Sequence, residues 1–371
     1  MLNHTQRSKA IREAGVSLVE LLISLGISMI IILAVITMLS DASRSHMELN
    51  KSSQLIENGR FSIQQLRTDL RLAGFYGHLF YGDLTALTTL PDPCITTDAA
   101  ALYSAMAMPV QGYNAAITAL PALTGSTCGG VFLTNSNLSV GSDVLVVRRA
   151  LTSVVTGTPL VNTVYLQSNV FKGDIQFGDT DAVIPGETAD DNAVALFAVN
   201  GTTPAQIREY AVRIYFIAPC SSGSNTSVAG GVCQAGDDAI PTLKVLELSG
   251  GAAATMTITP LAEGVEYMKL TYGIDNSPTT ADTTTGLIGD GVPDIYTATP
   301  TIAQWPYVVS VRVELLVKTP QTSSSHVDSK TYTLRTGTTT VNLGPFSDGF
   351  KRHVFSTEVK LTNMAGPREI P

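Results

Sequence analysis

One carboxylate lies inside the most apolar part of the chain. Glu20 is the only residue with an ionisable side chain between Val16 and Leu39, a run that also lacks Asn and Pro. An unpaired charge is costly in apolar surroundings, because nothing there replaces the hydration that it loses. A carboxylate at this position therefore predicts a cationic partner.

Gly15, just before the run, indicates how such a partner could arise. If a peptidase cut after Gly15, Val16 would gain a cationic α-amino group one helical turn from Glu20, and positions i and i+4 share one face of a helix. The two groups could neutralise each other within one chain or between neighbouring chains. Between chains, only one axial stagger would leave no charge unpaired. The spacing predicts a cleavage and docking site at these three residues.

The four cysteines predict crosslinks in preference to a metal site. They are Cys94, Cys128, Cys220 and Cys233. None forms a CxxC pair or lies beside a histidine at zinc-ligand spacing. In an oxidising compartment they allow three pairings, of which the sequence-local one joins the first to the second and the third to the fourth. Buried free thiols are the alternative.

The apolar run is long enough to cross a bilayer. As a helix it would extend about 36 Å, against a hydrocarbon core of about 30 Å. The charged residues before it are Arg7, Lys9, Arg12 and Glu13. This positive leader should stay in the cytoplasm, and the chain after Leu39 should be exported. No small-residue cleavage site of the secretory type follows the run, so we expect a single-pass anchor.

A longer helix is predicted to continue beyond the run. Apolar residues recur every seven positions and form a one-sided stripe. They are Leu49, Ile56, Ile63 and Leu70, with Leu66 and Ala73 at intermediate positions. Residues 16–74 contain no proline, so one helix should reach about Arg71 and end near Gly74 and Gly77. Gly59 is its weakest interior point. The pattern indicates a stem that packs under a globular head.

The rest of the chain predicts a β-rich head. Residues 81–140 contain many Thr, Ala, Gly and Pro residues and two cysteines, which is typical of loops held by a crosslink. About nine β-branched or aromatic segments follow, bounded by turn residues. They are residues 142–151, 162–167, 193–199, 207–218, 242–249, 264–274, 307–319, 330–334 and 352–363. With one dominant helix, the fold class is α+β with a mainly antiparallel sheet.

Two of these segments alternate in a way that predicts one face in water. In residues 207–218 the inner set is Tyr210, Val212, Ile214 and Phe216, and the outer set is Glu209, Ala211, Arg213 and Tyr215. In residues 307–319 the inner set is Val309, Val311, Val313, Leu315 and Val317, and the outer set is Ser310, Arg312, Glu314 and Lys318.

Composition and motifs argue against several function classes. The net charge is −8 and no dense basic cluster is present, so no nucleic-acid partner is expected. The chain has no HExxH, G-x-S-x-G, P-loop or dinucleotide-binding motif, and its five histidines are scattered, so we expect neither an enzyme nor a cofactor. Two acidic loops could supply oxygen ligands to calcium, but their spacing does not fit an EF-hand and favours solvated turns. Their acids are Asp275, Asp282, Asp290 and Asp294, and Asp179, Asp181, Glu187, Asp190 and Asp191.

Residues 15–22, Gly-Val-Ser-Leu-Val-Glu-Leu-Leu, resemble the type IV prepilin (class III) signal. The resemblance implies cleavage after Gly15 by a prepilin peptidase, N-methylation of Val16 and a role for Glu20 in subunit docking. Val16 stands where Phe is commoner in the family. The stem-and-head layout also resembles pilins, so the expected fold is pilin-like.

The C-terminal third resembles the PilW-like minor pilins of type IV pili. The segments EGVEYMKLTYGID, WPYVVSVRVELLVKT and FKRHVFSTEVKLTNMAG carry this similarity, with Lys351-Arg352 as a mild departure in the basic doublet. The resemblance covers residues 7–77 and 261–364, and residues 80–240 have no match to it.

The resemblance implies a bacterial inner-membrane protein with a periplasmic head that later enters the extracellular pilus. Its expected segments are a leader (1–15), a membrane helix (16–40), an amphipathic stem (41–77) and a head (78–371) with a variable part (80–240) and a PilW-like part (241–371). The implied partners are the prepilin peptidase, other minor pilins and the major pilin, and the membrane is contacted through residues 16–39. Such pili serve twitching motility, adhesion and DNA uptake.

The bulky head without an internal repeat favours a place at the pilus tip or in the initiation complex. Two alternatives stay open. One is a J-type pseudopilin of type II secretion, and the other is an adhesin displayed on a pilin stem, with residues 80–240 as its binding module.

Overall fold

The computed structural model describes residues 15–79, 84–85, 87–156, 159–178, 196–277, 289–324 and 326–369. It divides into two compact units, Met1–Lys51 and Ser52–Pro371. The expectations for the leader before Gly15 and for the acidic loop with Asp179, Asp181, Glu187, Asp190 and Asp191 lie outside the described residues, as does Asp282.

Helix α1 (Leu18–Leu72) is continuous, as its lack of proline predicts. In the second unit its buried residues are Leu55, Gly59, Ser62, Leu66, Asp69 and Leu70. The seven-residue stripe was therefore only partly right, because Leu49 is 67% exposed while Ile56 and Ile63 are half-buried. A straight helix drifts about 20° per heptad from a strict seven-residue repeat. The buried line also includes two small residues that a count of apolar side chains does not detect.

Seven strands form the larger sheet of the second unit. In spatial order β1, β2, β5, β3 and β4 are neighbours, β6 pairs with β5, and β7 pairs with β6. Their bounds are β1 (Val110–Tyr113), β2 (Val144–Ala150), β3 (Val164–Ser168), β4 (Gly173–Phe177), β5 (Ile207–Ala218), β6 (Thr242–Ser249) and β7 (Thr255–Glu263). A short helix, α2 (Ala99–Ala105), precedes β1 and is capped by Asp98.

Four strands form the smaller sheet, in the order β13-β10-β8-β9. They are β8 (Val265–Ile274), β9 (Ile295–Thr297), β10 (Val308–Lys318) and β13 (Arg352–Lys360). A hairpin of β11 (Tyr332–Thr336) and β12 (Thr339–Leu343) lies between β10 and β13 in the chain, and α3 (Thr362–Ala365) follows β13. Every strand pair among the described residues is antiparallel. The α+β prediction with a mainly antiparallel sheet is confirmed.

The strand prediction missed several short elements and added one. Of the predicted strand at 193–199, the described residues 196–199 contain only an isolated bridge from Phe197 to Pro204. Strands β4, β7, β9 and β12 were not predicted, nor were α2 and β1 within the expected loop region 81–140. These elements are short, or contain Gly, Pro or many Thr residues, so they lack the long β-branched runs on which the prediction depends.

The prediction of a wet face on β5 was wrong. Ala211 is 4% exposed and Tyr215 is fully buried, although both were assigned to the outer set. The reason is that Asp69 of α1 lies over this face, where it accepts hydrogen bonds from Tyr215 Oη at 2.5 Å and Arg213 Nη1 at 2.8 Å. A strand between a helix and a core has no open face.

The outer face of β10 is likewise covered. Ser310 and Glu314 are buried, and Glu314 Oε2 accepts the backbone N–H of Arg335 on β11 at 2.5 Å. On the same face, Leu316 forms a small separate core with Leu334 and Leu343 of the β11–β12 hairpin. The hairpin therefore gives the smaller sheet a second covering layer that alternation alone could not predict.

Two disulfides hold loops to the larger sheet. Cys94 is bonded to Cys128 and Cys220 to Cys233, which is the sequence-local pairing. All four residues are buried, so the bonds belong to the core.

Candidate assembly site

The first part of α1 is apolar on all sides and exposed on all sides. The large apolar residues from Val16 to Leu39 have exposed fractions between 54% and 75%. A helix with this composition is typical of a membrane span or of packing inside a bundle of helices. Among the described residues, α1 is the helix that is long and apolar enough to cross a membrane.

Gly15 and Val16 precede the helix, and Glu20 lies in its first turn. Leu21 donates its backbone N–H to Ser17 at 3.0 Å, so the helical hydrogen bonds begin here. A carboxylate in the first turn is favoured by the positive end of the helix dipole. Among the described residues, Glu20 is exposed and has neither a hydrogen bond nor an ion pair.

Packing does not require the glycine at position 15. A Cβ atom placed there would have no neighbour within 4 Å. Among the described residues, packing therefore gives no reason for a glycine at this position.

Asp69, near the C-terminal end of α1, joins the helix to the larger sheet. This residue is 1% exposed, and its carboxylate accepts four hydrogen bonds. The donors are Arg149 Nε at 3.1 Å, Arg149 Nη2 at 2.9 Å, Arg213 Nη1 at 2.8 Å and Tyr215 Oη at 2.5 Å. Without this carboxylate, Arg149 would have no counter-charge among the described residues, and Arg213 would keep only the half-buried Glu247.

The charges around Asp69 shift the pKa values of its partners. Burial lowers the pKa of Arg213, but the carboxylates of Asp69 and Glu247 outweigh burial and hold it above its ordinary value. Burial raises the pKa of Tyr215, and Asp69 raises it further. Both partners therefore keep the proton that each donates. Asp69 was not among the residues predicted to be functional, although an acid between Leu66 and Leu70 on the apolar side of a predicted helix could have indicated it.

Gly59 allows β13 to pack directly against the backbone of α1. A Cβ atom at position 59 would lie 2.2 Å from Cε2 of Phe355, which is far inside contact distance. The prediction of Gly59 as a weak point of the stem was incomplete. Glycine costs a helix interior about 1 kcal/mol relative to alanine. Here it provides a close helix–strand contact.

The C-terminal end of α1 is bound from two sides. Gly74 has a left-handed backbone, φ +73°, and donates its N–H to the carbonyl of Arg148 at 3.0 Å. Asn363, just after β13, donates its side-chain N–H to the carbonyl of Ala73 at 3.0 Å. Asn363 therefore binds the first carbonyl beyond α1.

Arg352, at the start of β13, is the centre of a buried charge cluster. Its guanidinium donates to Glu266 at 2.6 Å, Asp328 at 2.9 Å and Asp348 at 2.7 Å, and lies 3.8 Å from the centroid of Phe346. The hydrogen bond from Arg352 lowers the pKa of Asp348. The second residue of the basic doublet thus joins β13 to β8 and to two loops.

A second buried pair joins the larger sheet to the smaller one. Lys269 Nζ on β8 lies 2.7 Å from Asp143, just before β2, and each residue is 1% exposed. Asp143 also accepts the backbone N–H groups of Ala115 and Leu270, both at 2.9 Å. Burial raises the pKa of Asp143, and the lysine and these donors oppose the shift.

The acids of the loop after β8 are engaged with protein donors. Asp275 accepts from Arg368 Nε at 2.8 Å and from the N–H groups of Ser277 at 2.9 Å and Gly291 at 3.0 Å. Asp294 accepts the N–H of Asn276 at 2.8 Å. The described carboxylates of this loop thus stabilise the turn itself.

The chain combines two features. Its apolar N-terminal helix fits a membrane anchor, and its second unit is a mainly antiparallel sheet domain. The family model described as Type IV Pilus-assembly protein W matches residues 214–363. This match supports assignment of the chain to a PilW-like family and a role related to type IV pili. Neither the curated proteins nor the solved structures contain a significant match.

The matched region begins inside β5 and includes Arg352 and Phe355. Three buried residues outside it are tied to it: Asp69 accepts from Tyr215, Asp143 pairs with Lys269, and Arg149 shares Asp69 with Tyr215. The matched and unmatched parts of the second unit therefore share one core.

Proposed function

We propose that this chain is a minor pilin, made as a prepilin and incorporated into a type IV pilus. One observation carries the proposal: Gly15 and Val16 precede, and Glu20 lies in the first turn of, a continuous helix whose chain continues into a domain with a PilW match. The role is assembly and not catalysis.

In this proposal, a prepilin peptidase cuts after Gly15 and the new amine of Val16 is methylated. The carboxylate of Glu20 then pairs with such an amine as subunits dock, since an acid without a partner in the described chain needs one from outside. The exposed apolar side chains of residues 16–39 contact lipid before assembly and pack against neighbouring helices in the filament.

The head would face the periplasm before assembly and the exterior afterwards, in contact with other minor pilins and the major pilin. Two disulfides suit an oxidising compartment. A head of this size is easier to place at a tip or in an initiation complex than along a shaft, where each subunit lies under another.

Mass spectrometry of the N-terminus tests the proposal, with protein taken from cells and from sheared pili. We expect a methylated Val16 as the first residue in both samples. Glu20→Gln should lower the amount of this protein in sheared pili by about tenfold or more. The substitution leaves the Val16 amine as an unpaired buried charge, which costs more than about 1.4 kcal/mol. Glu57→Gln, an exposed acid on the same helix, serves as the matched control.

Two outcomes would overturn the proposal: a chain that still begins at Met1, or equal incorporation of Glu20→Gln and wild type. A deletion strain that keeps its pili but fails to secrete exoenzymes would instead support a J-type pseudopilin.

The adhesin alternative needs surface substitutions for its test. Deleting residues 80–240 would remove β1 to β5 together with Arg149, Arg213 and Tyr215, the partners of Asp69. Exposed residues of that segment should be substituted instead. A strain with such substitutions that forms normal pili but no longer attaches would support the adhesin alternative.

A further inference from the structure

Strand β13 has one free edge. Among the described residues it is the terminal strand of its sheet and pairs with β10 alone. Leu361 donates to the carbonyl of Val309, and Thr319 donates to that of Lys351, so the odd-numbered residues of β13 bond to β10. The backbone N–H and C=O groups of Val354, Ser356 and Glu358 therefore point away from the sheet, and the described residues offer them no backbone partner.

A groove of about 550 Å³ runs between this edge and α1. Phe355 and Ser356 line it on the strand side, and Arg60, Arg67 and Arg71 line it on the helix side. The spacing of seven and four residues places the three arginines on one face of the helix. They are exposed, and among the described residues none has a hydrogen bond or an ion pair.

The groove is basic on a protein whose net charge is −8. Of the residues that the structure describes, no Asp or Glu lines the groove. From Arg60 to Arg71 the helix rises about 16 Å, which an extended chain covers in about five residues. Alternate side chains of such a segment would face the helix about 6.6 Å apart, close to the rise of about 6 Å between Arg67 and Arg71.

We propose that this groove, formed by Arg60, Arg67, Arg71 and the free edge of β13, binds an extended acidic segment of a partner polypeptide, which adds to β13 as a further strand. The free backbone groups bind the segment through main-chain hydrogen bonds, and the arginines select carboxylates at alternate positions. Anionic lipid is disfavoured because head groups cannot form the regular ladder of hydrogen bonds that the strand edge offers. The inference goes beyond pilus assembly and does not depend on it.

Hydrogen exchange on the full-length protein in detergent tests the inference. The probe is an acetylated and amidated octapeptide, Glu-Val-Glu-Thr-Glu-Val-Glu-Thr, and the control peptide has Lys at every Glu. At about 1 mM peptide we expect about tenfold slower exchange at the amides of Val354, Ser356 and Glu358. The Lys peptide should have no such effect.

Variants separate the two parts of the groove. Arg67→Glu with Arg71→Glu should weaken binding of the acidic peptide by about tenfold or more. Lys172→Glu makes the same type of charge change at an exposed site outside the groove and should leave binding unchanged. Ser356→Pro removes an outward N–H, keeps the backbone bonds to β10, and should abolish protection of the edge. It also loses the side-chain hydrogen bond to Glu314 at 3.4 Å, so Ser356→Ala, which loses only that bond, is its control.

Three results would overturn the proposal. They are no protection of the edge by the acidic peptide, equal protection by the Lys peptide, and arginine variants that bind the peptide normally but lose binding to phosphatidylglycerol vesicles. Because the assay uses purified protein and a synthetic peptide, its failure is distinguishable from a failure of the minor-pilin proposal.

Discussion

Two carboxylates of α1 lie in opposite surroundings, Glu20 in the apolar N-terminal part of the helix and Asp69 in the part that packs on the head. Asp69 is buried and accepts four hydrogen bonds from Arg149, Arg213 and Tyr215. Glu20 is exposed on an apolar helix, and the described residues give it no partner. The fold itself compensates the first charge. The second is compatible with apolar surroundings only if another group, from processing or from a neighbouring subunit, compensates it.

The largest expected effect breaks the compensated site. Asp69→Asn should lower the free energy of unfolding of the head by about 3 kcal/mol, since Arg149 loses its buried counter-charge and Arg213 keeps only the half-buried Glu247. Denaturant unfolding of the full-length protein in detergent measures this through Trp305, the single tryptophan, which is 2% exposed.

Glu20→Gln is the matched substitution in the other part of the helix. It should leave that unfolding curve unchanged, because Glu20 bonds to nothing in the described head. A loss below about 1 kcal/mol for Asp69→Asn would contradict the comparison.

Two glycines of α1 allow a second comparison between the apolar part of the helix and the part that packs on the head. Gly59→Ala should cost the head about 2 kcal/mol, because the new Cβ would displace the ring of Phe355. Gly26→Ala is the control on the same helix, since a Cβ there has no neighbour within 4 Å, and it should not change head stability. The same denaturation assay measures both.

Phe355→Leu in the Gly59→Ala background tests the cause. A smaller side chain should recover part of the loss if ring overlap produces it, and a purely additive double variant would indicate another origin.

The smallest expected effect concerns Asp275, another carboxylate with a partner supplied by the fold. Burial raises its pKa, but the Arg368 guanidinium and the N–H groups of Ser277 and Gly291 outweigh burial and hold the pKa below the ordinary 3.8. Such an acid contributes stability above its ordinary pKa, and this stability is lost as the pH falls through the lower folded value.

Arg368→Gln should therefore cost about 1 to 2 kcal/mol at neutral pH, and the difference from wild type should shrink as the pH falls below the ordinary pKa. Unfolding curves at a series of pH values measure this. A difference that stays constant with pH would mean that Arg368 does not act through the Asp275 carboxylate. It would then stabilise the head through groups that do not titrate, which are the carbonyls of Asp275 and Ser277 and the ring of Tyr307.

Local patterns identified much of the fold. The β-branched runs at 207–218 and 242–249 became β5 and β6 with the same bounds, because a run of such residues suits a strand wherever it lies. The absence of proline from residues 16–74 predicted an unbroken α1. The pairing of Cys94 with Cys128 agrees with the sequence-local choice, although the spacing alone left other pairings open.

Other features depend on residues far apart in the chain. Asp69 bonds to Arg149 and Tyr215, which follow it by 80 and 146 residues, so no local window contains the cluster. The alternation in β5 and β10 was detected, but its meaning was not, because the covering groups come from α1 and from the β11–β12 hairpin.

By itself, the sequence determined the apolar helix, the placement of Glu20 five residues after Gly15, and the β-rich class of the head, because helix length and strand propensity depend on neighbouring residues. Only the tertiary structure decided that Gly59 receives the ring of Phe355, that Asp69 belongs to the core, and that β13 keeps an open edge beside three arginines. These features arise where distant segments pack, and packing depends on shape and charge across the whole fold.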